Sequence, residues 1–464
     1  MTPKSRNTVL TVCLIAALGA SGCATVNRLN PFNRADDGPQ ETAGEGTRIS
    51  IVAADQVLEP AEALKGVDFA LPAPAAVVDW PLPGGTPEQA MGHVDAAPNL
   101  AIAWKRGIGS GSKGGRHVTA PPVGAGGRIF VMDAEANVSA RDAQTGAEVW
   151  RTNLNPGDNR RDREAFGGGL AYADGKLYAA SGHRLVAQLD AATGALGWRT
   201  RTPEPIHGAP TVASGRVMAV ALDNTLMTFD AATGTAGWTY QALSEPARIL
   251  MASSPAISGD TVIAAFGSGE LVALRTTNGN DLWTEALSRA SRTSALSEIR
   301  DIAGRPVIYQ GDVFAVSHSG VFAATEMRTG QARWSLPLVG ITAPWPAGDV
   351  VYVVSKGGQV ICASRESGQI YWIRDLNEGV AVDSKRRFFG LMGGSATRPV
   401  WSGPLLANNR LITVGSTGDL VALNAKTGAV EKRVNLGEPA MIAPIAMGGT
   451  IYVVTDTANL IALR

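Results

Sequence analysis

Five histidines, His93, His117, His183, His207 and His318, and three cysteines, Cys13, Cys23 and Cys362, are the side chains with the most direct claim on chemistry. Hydrolytic, redox or metal chemistry needs such groups gathered at short, regular spacings, and here each histidine stands alone. No HExxH, CxxC, GxSxG or Walker loop occurs. The stretch GIGSGSKGG (107–115) has the glycines of a phosphate cradle, but it lacks the GK[ST] ending and no helical pattern follows it. It reads as a loop. His183 in SGHRL and His318 in SHSG fall at tight turns between strands, where an exposed polar residue is ordinary. Cys362, in the apolar VICAS, reads as a small buried hydrophobe. The residues therefore predict no catalytic group, no metal site and no cofactor.

The cysteine with a chemical context is Cys23. Lys4 and Arg6 precede an apolar run from Val9 to Ala20, and small residues lead to the cysteine. This is the layout of an export signal, too short for a spanning helix. Ala20-Ser21-Gly22-Cys23 resembles a lipobox, in which cleavage before the cysteine exposes it for acylation with fatty acids such as palmitate. A plain signal cut at an Ala-x-Ala-like site is the other reading. Lipidation at Cys23 with a signal peptide over 1–22 is the expectation, and removal of Lys4 and Arg6 leaves 39 basic against 41 acidic residues. The stretch 23–97, with PFNRADDGPQETAGEGT and LPAPAAVVDWPLPGGTP, is rich in Pro, Gly and Ala and lacks period. It is expected to be a mostly flexible tether that lies along the body near Trp80.

The elements that must position any site come from a repeat. DAQTGAEVW (142–150), DAATGALGW (190–198), DAATGTAGW (230–238), RTTNGNDLW (275–283), EMRTGQARW (326–334), RESGQIYW (365–372) and NAKTGAVEK (424–432) are variants of one phrase. Its acidic first position is Asp142, Asp190 and Asp230 in the clearest copies. Its glycines are Gly146, Gly194, Gly234, Gly279, Gly330, Gly368 and Gly428, about 47 residues apart on average, a propeller-blade period. Trp150, Trp198, Trp238, Trp283, Trp334 and Trp372 follow the glycine by four, and Lys432 takes that place in the last copy. Aspartate and threonine bond nearby amides, and glycine accepts the positive φ that ends the turn. The tryptophan then lies on the returning strand, where it fills the gap between neighbouring sheets. LAIAWKRGIG carries Trp104 without a turn before it, and the C-terminal APIAMGGTIYVVTDTANLIALR ends without turn or tryptophan. The two halves complete one another. The expected fold is all-β, an eight-bladed β-propeller of four-stranded antiparallel blades over 98–464, its ring closed by the N- and C-terminal strands.

Composition narrows the partners. Lysine plus arginine equals aspartate plus glutamate at 41 each, with no basic stripe, which argues against nucleic acid. The intact AxDxxTGxxxW of 140–150 resembles the blades of pyrroloquinoline-quinone-type propellers, shared by periplasmic quinoprotein dehydrogenases and the BamB family of outer-membrane assembly lipoproteins. The dehydrogenases carry a vicinal cysteine pair and a calcium; this chain has no such pair and is short for that class. The resemblance to the BamB family spans the lipobox, the tether and all eight blades. It implies a non-enzymatic scaffold of the β-barrel assembly machinery, held by lipid on the periplasmic face of the outer membrane and helping barrel assembly and insertion, with nascent outer-membrane proteins as candidate further partners. The partner it implies is the set of POTRA domains of the barrel-inserting subunit, contacted by leucine, arginine and aspartate on two neighbouring loops.

One loop corresponds to PARILMASSPA (246–256), with Arg248, Leu250 and Met251. The other matches around Glu298, Arg300 and Asp301, with Ala303 where the family has an acid. Arginine and methionine suit interface centres; equally, Ile249 and Leu250 can be blade core with Arg248 solvated. DSKRRFFGLMGGS (383–395) has two readings as well: a basic, aromatic surface for lipid head groups or a partner, or a loop covering the end of the propeller.

Overall fold

The computed structural model describes residues 58–155, 157, 162, 164–244, 253–288, 300–379 and 398–464. Cys23, Arg248, Leu250, Met251, Glu298 and the 383–395 stretch lie outside the described residues. Apart from a short 3-10 turn at Glu62–Leu64, the elements are all strands, arranged in eight four-stranded antiparallel sheets. The first blade comprises Val123–Ala125, Arg128–Met132, Asn137–Asp142 and Glu148–Asn153. The next six repeat it, with first strands Gly168–Ala173, Thr211–Ala213, Ala256–Ser258, Val307–Tyr309, Trp345–Ala347 and Trp401–Ala407. These first strands neighbour one another around the ring, while the fourth strands, such as Leu196–Arg201, are largely exposed and form the rim.

The eighth blade joins Ile445–Met447, Thr450–Val454 and Asn459–Leu463 to Ile102–Gly107 from the other end of the chain. Trp104 pairs with Ala462 and Arg106 with Leu460, so the ring closes as the complementary halves require. Glu438 stitches this seam, accepting from Lys105 Nζ at 2.6 Å and from Asn459 Nδ2 at 2.9 Å, as well as from Thr455 and Thr457.

The repeated phrase is the turn between third and fourth strands. In all seven copies the glycine N–H donates to the carbonyl four residues earlier, at 2.8–2.9 Å. Asp190 Oδ1 accepts from Ala192 N, Thr193 N and Thr193 Oγ1, and Asp142 and Asp230 repeat the pattern. Each tryptophan staples its blade to the next. Trp150 packs on Gly194 and donates to Ala191 O at 3.0 Å; Trp198, Trp238, Trp283 and Trp334 do the same one blade further on. Trp104 lies on Gly146 and Trp372 on Gly428, but their indole nitrogens make no hydrogen bond. There a tyrosine hydroxyl takes the carbonyl instead, Tyr452 to Ala143 O and Tyr352 to Ala425 O. Lys432 has no turn glycine in the following blade to pack on, because the third and fourth strands of the eighth blade come from opposite chain ends. Its Nζ bonds Asn99 O at 2.7 Å.

The composition of 23–97 predicts a spacer; from Leu58 onward the structure differs. Residues 70–97 run through the axial channel and bond all eight blades. Trp80 exchanges two backbone bonds with Gly124, Pro81 O accepts from Tyr172 N, Pro87 O from Ile257 N and Glu88 O from Ile308 N. Gln89 Nε2 donates to Thr211 Oγ1 and Pro255 O, and Trp345 Nε1 to Gly92 O. Val94 bridges Leu406 and Asn408, and Val77 O accepts from Gly448 N. Trp80 has no exposed surface and stacks near Trp345, with ring centroids 6.3 Å apart. The physical reason is that the inner edge of a propeller presents unpaired strand N–H and C=O groups, and this strap satisfies them.

An antiparallel meander places its turns on alternating faces. The first-to-second and third-to-fourth turns share one face, and there the strap enters and leaves, touching Gly126, Asp349, Asn409 and Gly449. The connections between blades and the second-to-third turns share the other face.

Candidate docking face

Both loops singled out by the resemblance are connections between blades, and their described stems lie on the face opposite the entry and exit of the strap. The first joins the third and fourth blades, the second the fourth and fifth. Their described stems converge on one feature, the second-to-third turn of the fourth blade at 266–270.

On one side, Leu243 N donates to Glu270 Oε2 at 2.8 Å, and Ser268 Oγ holds the same carboxylate oxygen at 2.7 Å. Asn224, at φ +68°, donates to Leu243 O and accepts from Gly267 N. On the other side, Ile302 N donates to Phe266 O at 3.2 Å, and the backbone of Arg300 lies against Gly269. Gly269 has φ +83°, and a Cβ there would stand 2.9 Å from Arg300 O, so the close approach of the second stem requires glycine.

Beside the first stem lies a groove of about 590 Å3 lined by Asp223, Tyr240, Gln241, Ala242, Leu243, Ser244 and Glu270. Leu243 is 65% exposed, an apolar side chain held by its backbone at the edge of this groove. Burial and the nearby Asp281 push the Tyr240 hydroxyl above its ordinary range, so it remains protonated, able to donate, at neutral pH.

Arg300 is exposed at the start of the second stem. Asp301 departs from the contact expected of it: the residue is 2% exposed, and its carbonyl accepts from His318 N at 2.8 Å. It anchors the stem from inside. Ala303, where the family has an acid, is likewise buried. Leu243 and Glu270 were not legible as site residues, because only the ring brings the end of the third blade beside the turn of the fourth.

The remaining candidates are structural. His93 donates through Nδ1 to Pro72 O and accepts at Nε2 from Asn409 N, which ties the strap to the seventh blade; burial holds its pKa below the usual histidine range. His207 bonds Glu164 O, and His117 lies edge-on to Phe166. His183 and His318, expected at exposed turns, are buried. In the GIGSGSKGG loop, groups that could meet a phosphate are already bonded within the protein: Ser110 N donates to Asp133 Oδ2, Ser112 N to Asp456 O and Ser112 Oγ to Asp456 Oδ1. Cys362 is fully buried, and burial raises its thiol well above the ordinary value. Among the described residues, no three His, Cys, Asp or Glu side chains gather as a metal ion would require.

Comparison with solved structures supports the fold. The crystal structure of BamB from Moraxella catarrhalis superposes with a TM-score of 0.64 at 17% identity, covering 78% of this chain and 99% of that one. Quinohemoprotein alcohol dehydrogenase from Comamonas testosteroni aligns with a TM-score of 0.63 at 15% identity, covering 88% and 83%. The fold thus serves both classes, and sequence separates them. The chain is 29% identical to outer membrane protein assembly factor BamB of Salmonella typhimurium over 364 residues, 76% of this chain and 88% of that protein. It is 29% identical to the Escherichia coli K12 protein of the same name over 328 residues, covering 70% and 79%. The sequence profile described as outer membrane protein assembly factor BamB matches residues 90–162, 134–374 and 382–464, and the chain belongs to that family.

Proposed function

We propose that the protein is a non-catalytic scaffold in the assembly of β-barrel proteins into the outer membrane. In this reading it is anchored by lipid at Cys23 on the periplasmic face and docks the POTRA domains of the barrel-inserting subunit. Family membership supports the assembly role. The observation that carries the docking site is the convergence of both loop stems on the 266–270 turn, with exposed Leu243 and Arg300 on either side. Arginine is among the residues enriched where binding energy concentrates at protein interfaces, and Leu243 offers exposed apolar area across the turn from it.

The test is affinity purification from solubilised outer membranes. The wild-type chain should bring down the barrel-inserting subunit, and Leu243→Arg with Arg300→Glu should reduce its recovery at least tenfold while the melting temperature stays within about 2 °C. Undiminished recovery would remove the docking site from this face. Cys23→Ala should release the protein from the membrane fraction, and retention there would refute the anchor.

A further inference from the structure

The fourth strands of the seventh, eighth, first and second blades follow one another around the ring and differ in character from the other four. Val430–Asn435, Ile102–Gly107, Glu148–Asn153 and Leu196–Arg201 carry seven basic side chains against two acidic ones. In the third to sixth blades, Ala236–Gln241, Asp281–Ala286, Ala332–Leu336 and Ile370–Asp375 carry two basic against three acidic. The turns between first and second strands largely follow the same division. Arg410, Arg128 and Lys176 stand at those of the seventh, first and second blades, and Asp260, Asp312 and Asp349 at those of the fourth, fifth and sixth; Asp174 and Arg216 run against it. The chain as a whole carries no net charge, so the ring is polarised rather than basic.

Exposed aliphatic side chains fall on the same four strands: Val430, Ile102, Val149 and Leu196 are 42–49% exposed. Val430, Ile102 and Leu196 occupy one register position, opposite Leu423, Leu463 and Leu189 on the third strands, and Val149 comes one residue later in the first blade. The equivalent places on the other blades hold Ala236, Asp281, Ala332 and the buried Ile370. Leu282 is exposed as well, but Asp281 stands beside it. At this position each fourth strand begins, so the four side chains share one level, next to the face that carries the third-to-fourth turns. Single aliphatics scattered over a surface are ordinary; a shared level on four consecutive blades is not. The cations stand behind this row. Lys432, Arg433, Lys105, Arg106, Arg151 and Arg199 follow two to four residues further along, about 7–13 Å at the rise of a strand, and all are exposed. Lys105 pairs with Glu438 and Arg151 with Glu148, whereas among the described residues Arg106, Arg199 and Arg433 have no carboxylate partner.

We propose that this sector rests on an anionic phospholipid surface, with the turn face tilted toward it so that the eighth and first blades sit deepest. The four aliphatic side chains reach the boundary of the acyl chains, and the cations lie at the level of the phosphates. An interfacial element buries its apolar side about 5–10 Å into that boundary, which matches the spacing of the two rows. Each aliphatic comes from a separate blade, so the row is convex and spread out. It suits a flat, deformable surface better than a protein partner, whose binding energy concentrates in a packed central pocket. Nucleic acid offers the same phosphates but nothing for the aliphatic row. The docking groove lies on the opposite face, and the inference depends on neither that groove nor acylation of Cys23.

The experiment uses the full chain carrying Cys23→Ala, so that no acyl chain contributes. Its co-sedimentation is measured with vesicles of phosphatidylcholine alone or mixed with phosphatidylglycerol, at low and at physiological salt. Binding should be at least about tenfold tighter to the anionic vesicles at low salt and should weaken as salt rises. A basic side chain near such a surface contributes roughly fivefold in affinity, so Arg433→Glu should weaken binding to the anionic vesicles by at least about fivefold. Arg328→Glu is the charge-matched control: its side chain, at the turn of the fifth blade, is 82% exposed, and its loss should change binding less than about twofold. Ile102→Ser with Leu196→Ser leaves every charge in place and should also weaken binding by at least about fivefold. The apolar run from Val9 to Ala20 is common to all variants and cancels between them. Since each substitution is at an exposed site, melting temperatures should agree within about 2 °C. Equal binding to both kinds of vesicle, or equal effects of Arg433→Glu and Arg328→Glu, would overturn the proposal. So would binding that needs the charges but ignores the serine pair, the outcome expected of a surface for an acidic protein.

Discussion

Replacing Gly234 by alanine tests whether the repeated phrase is a staple between blades. Gly234 sits at φ +73°, and a Cβ there would stand 2.4 Å from Trp198 Cε3, 2.5 Å from Cδ2 and 3.0 Å from Thr200 Oγ1. The backbone conformation alone costs an alanine about 1–2 kcal/mol. The indole has to shift, which weakens its 3.1 Å bond to Ala231 O, worth about 1 kcal/mol, and overpacks the blade interface for about 1–3 kcal/mol more. The sum is about 3–6 kcal/mol. Gly215 is the internal control: its φ is +70°, but no atom lies within 4 Å of the added methyl, so Gly215→Ala carries only the backbone cost. Urea unfolding followed by tryptophan fluorescence and by circular dichroism should place Gly234→Ala at least about 2 kcal/mol below Gly215→Ala with an unchanged slope. Combining Gly234→Ala with Trp198→Leu should cost less than the sum of the single changes, since the smaller side chain makes room. Equal losses for the two glycines would refute the staple and leave only turn strain.

Three further outcomes follow from the same geometry. Trp80→Ala should loosen the strap and expose 58–97 to limited proteolysis while the blades keep their β-sheet signal; a wild-type strap cut as readily as the variant would restore the flexible spacer. At the ring seam, burial opposes ionisation of Glu438, but bonds from Lys105, Thr457, Asn459 and Thr455 outweigh it and hold the carboxyl at about 2, against an ordinary 4.5. Because the folded pKa is depressed, this stabilisation is complete above pH 4.5 and disappears as pH falls toward 2. After allowance for solvent screening it amounts to about 1–2 kcal/mol, and Glu438→Gln should flatten stability against pH in that window. Tyr352→Phe should cost less than about 1 kcal/mol in urea, because Trp372 Nε1 is unpaired and stands ready to take over Ala425 O; a loss near 3 kcal/mol would show that the indole cannot turn.

Much of the fold was legible because its parts are local. The turn needs an aspartate and a glycine within five residues, and both the hydrogen bonds and the positive φ depend on neighbours in sequence. Where the aspartate is lost, as at Arg275, the backbone bond from Gly279 survives, so the spacing outlasts the side chain. The strap escaped detection for the opposite reason. Its Pro-Gly-Ala composition carries no amphipathic period, because its partners are strand edges that exist only once the ring has formed. Asp301 illustrates the same limit at the site: its type suggested a surface contact, and only the packing of the stem shows that it points into the protein.

By itself, the sequence determined the repeat, the number of blades, the complementary chain ends that close the ring, and the absence of clustered catalytic motifs. These follow from short-range spacing and from the need to pair every strand. Tertiary structure alone decided what pairs the inner strand edges, which turn unites the two loop stems, and that Asp301 is buried. Each of these is a relation between blades far apart in sequence, set by ring closure and by the burial it imposes.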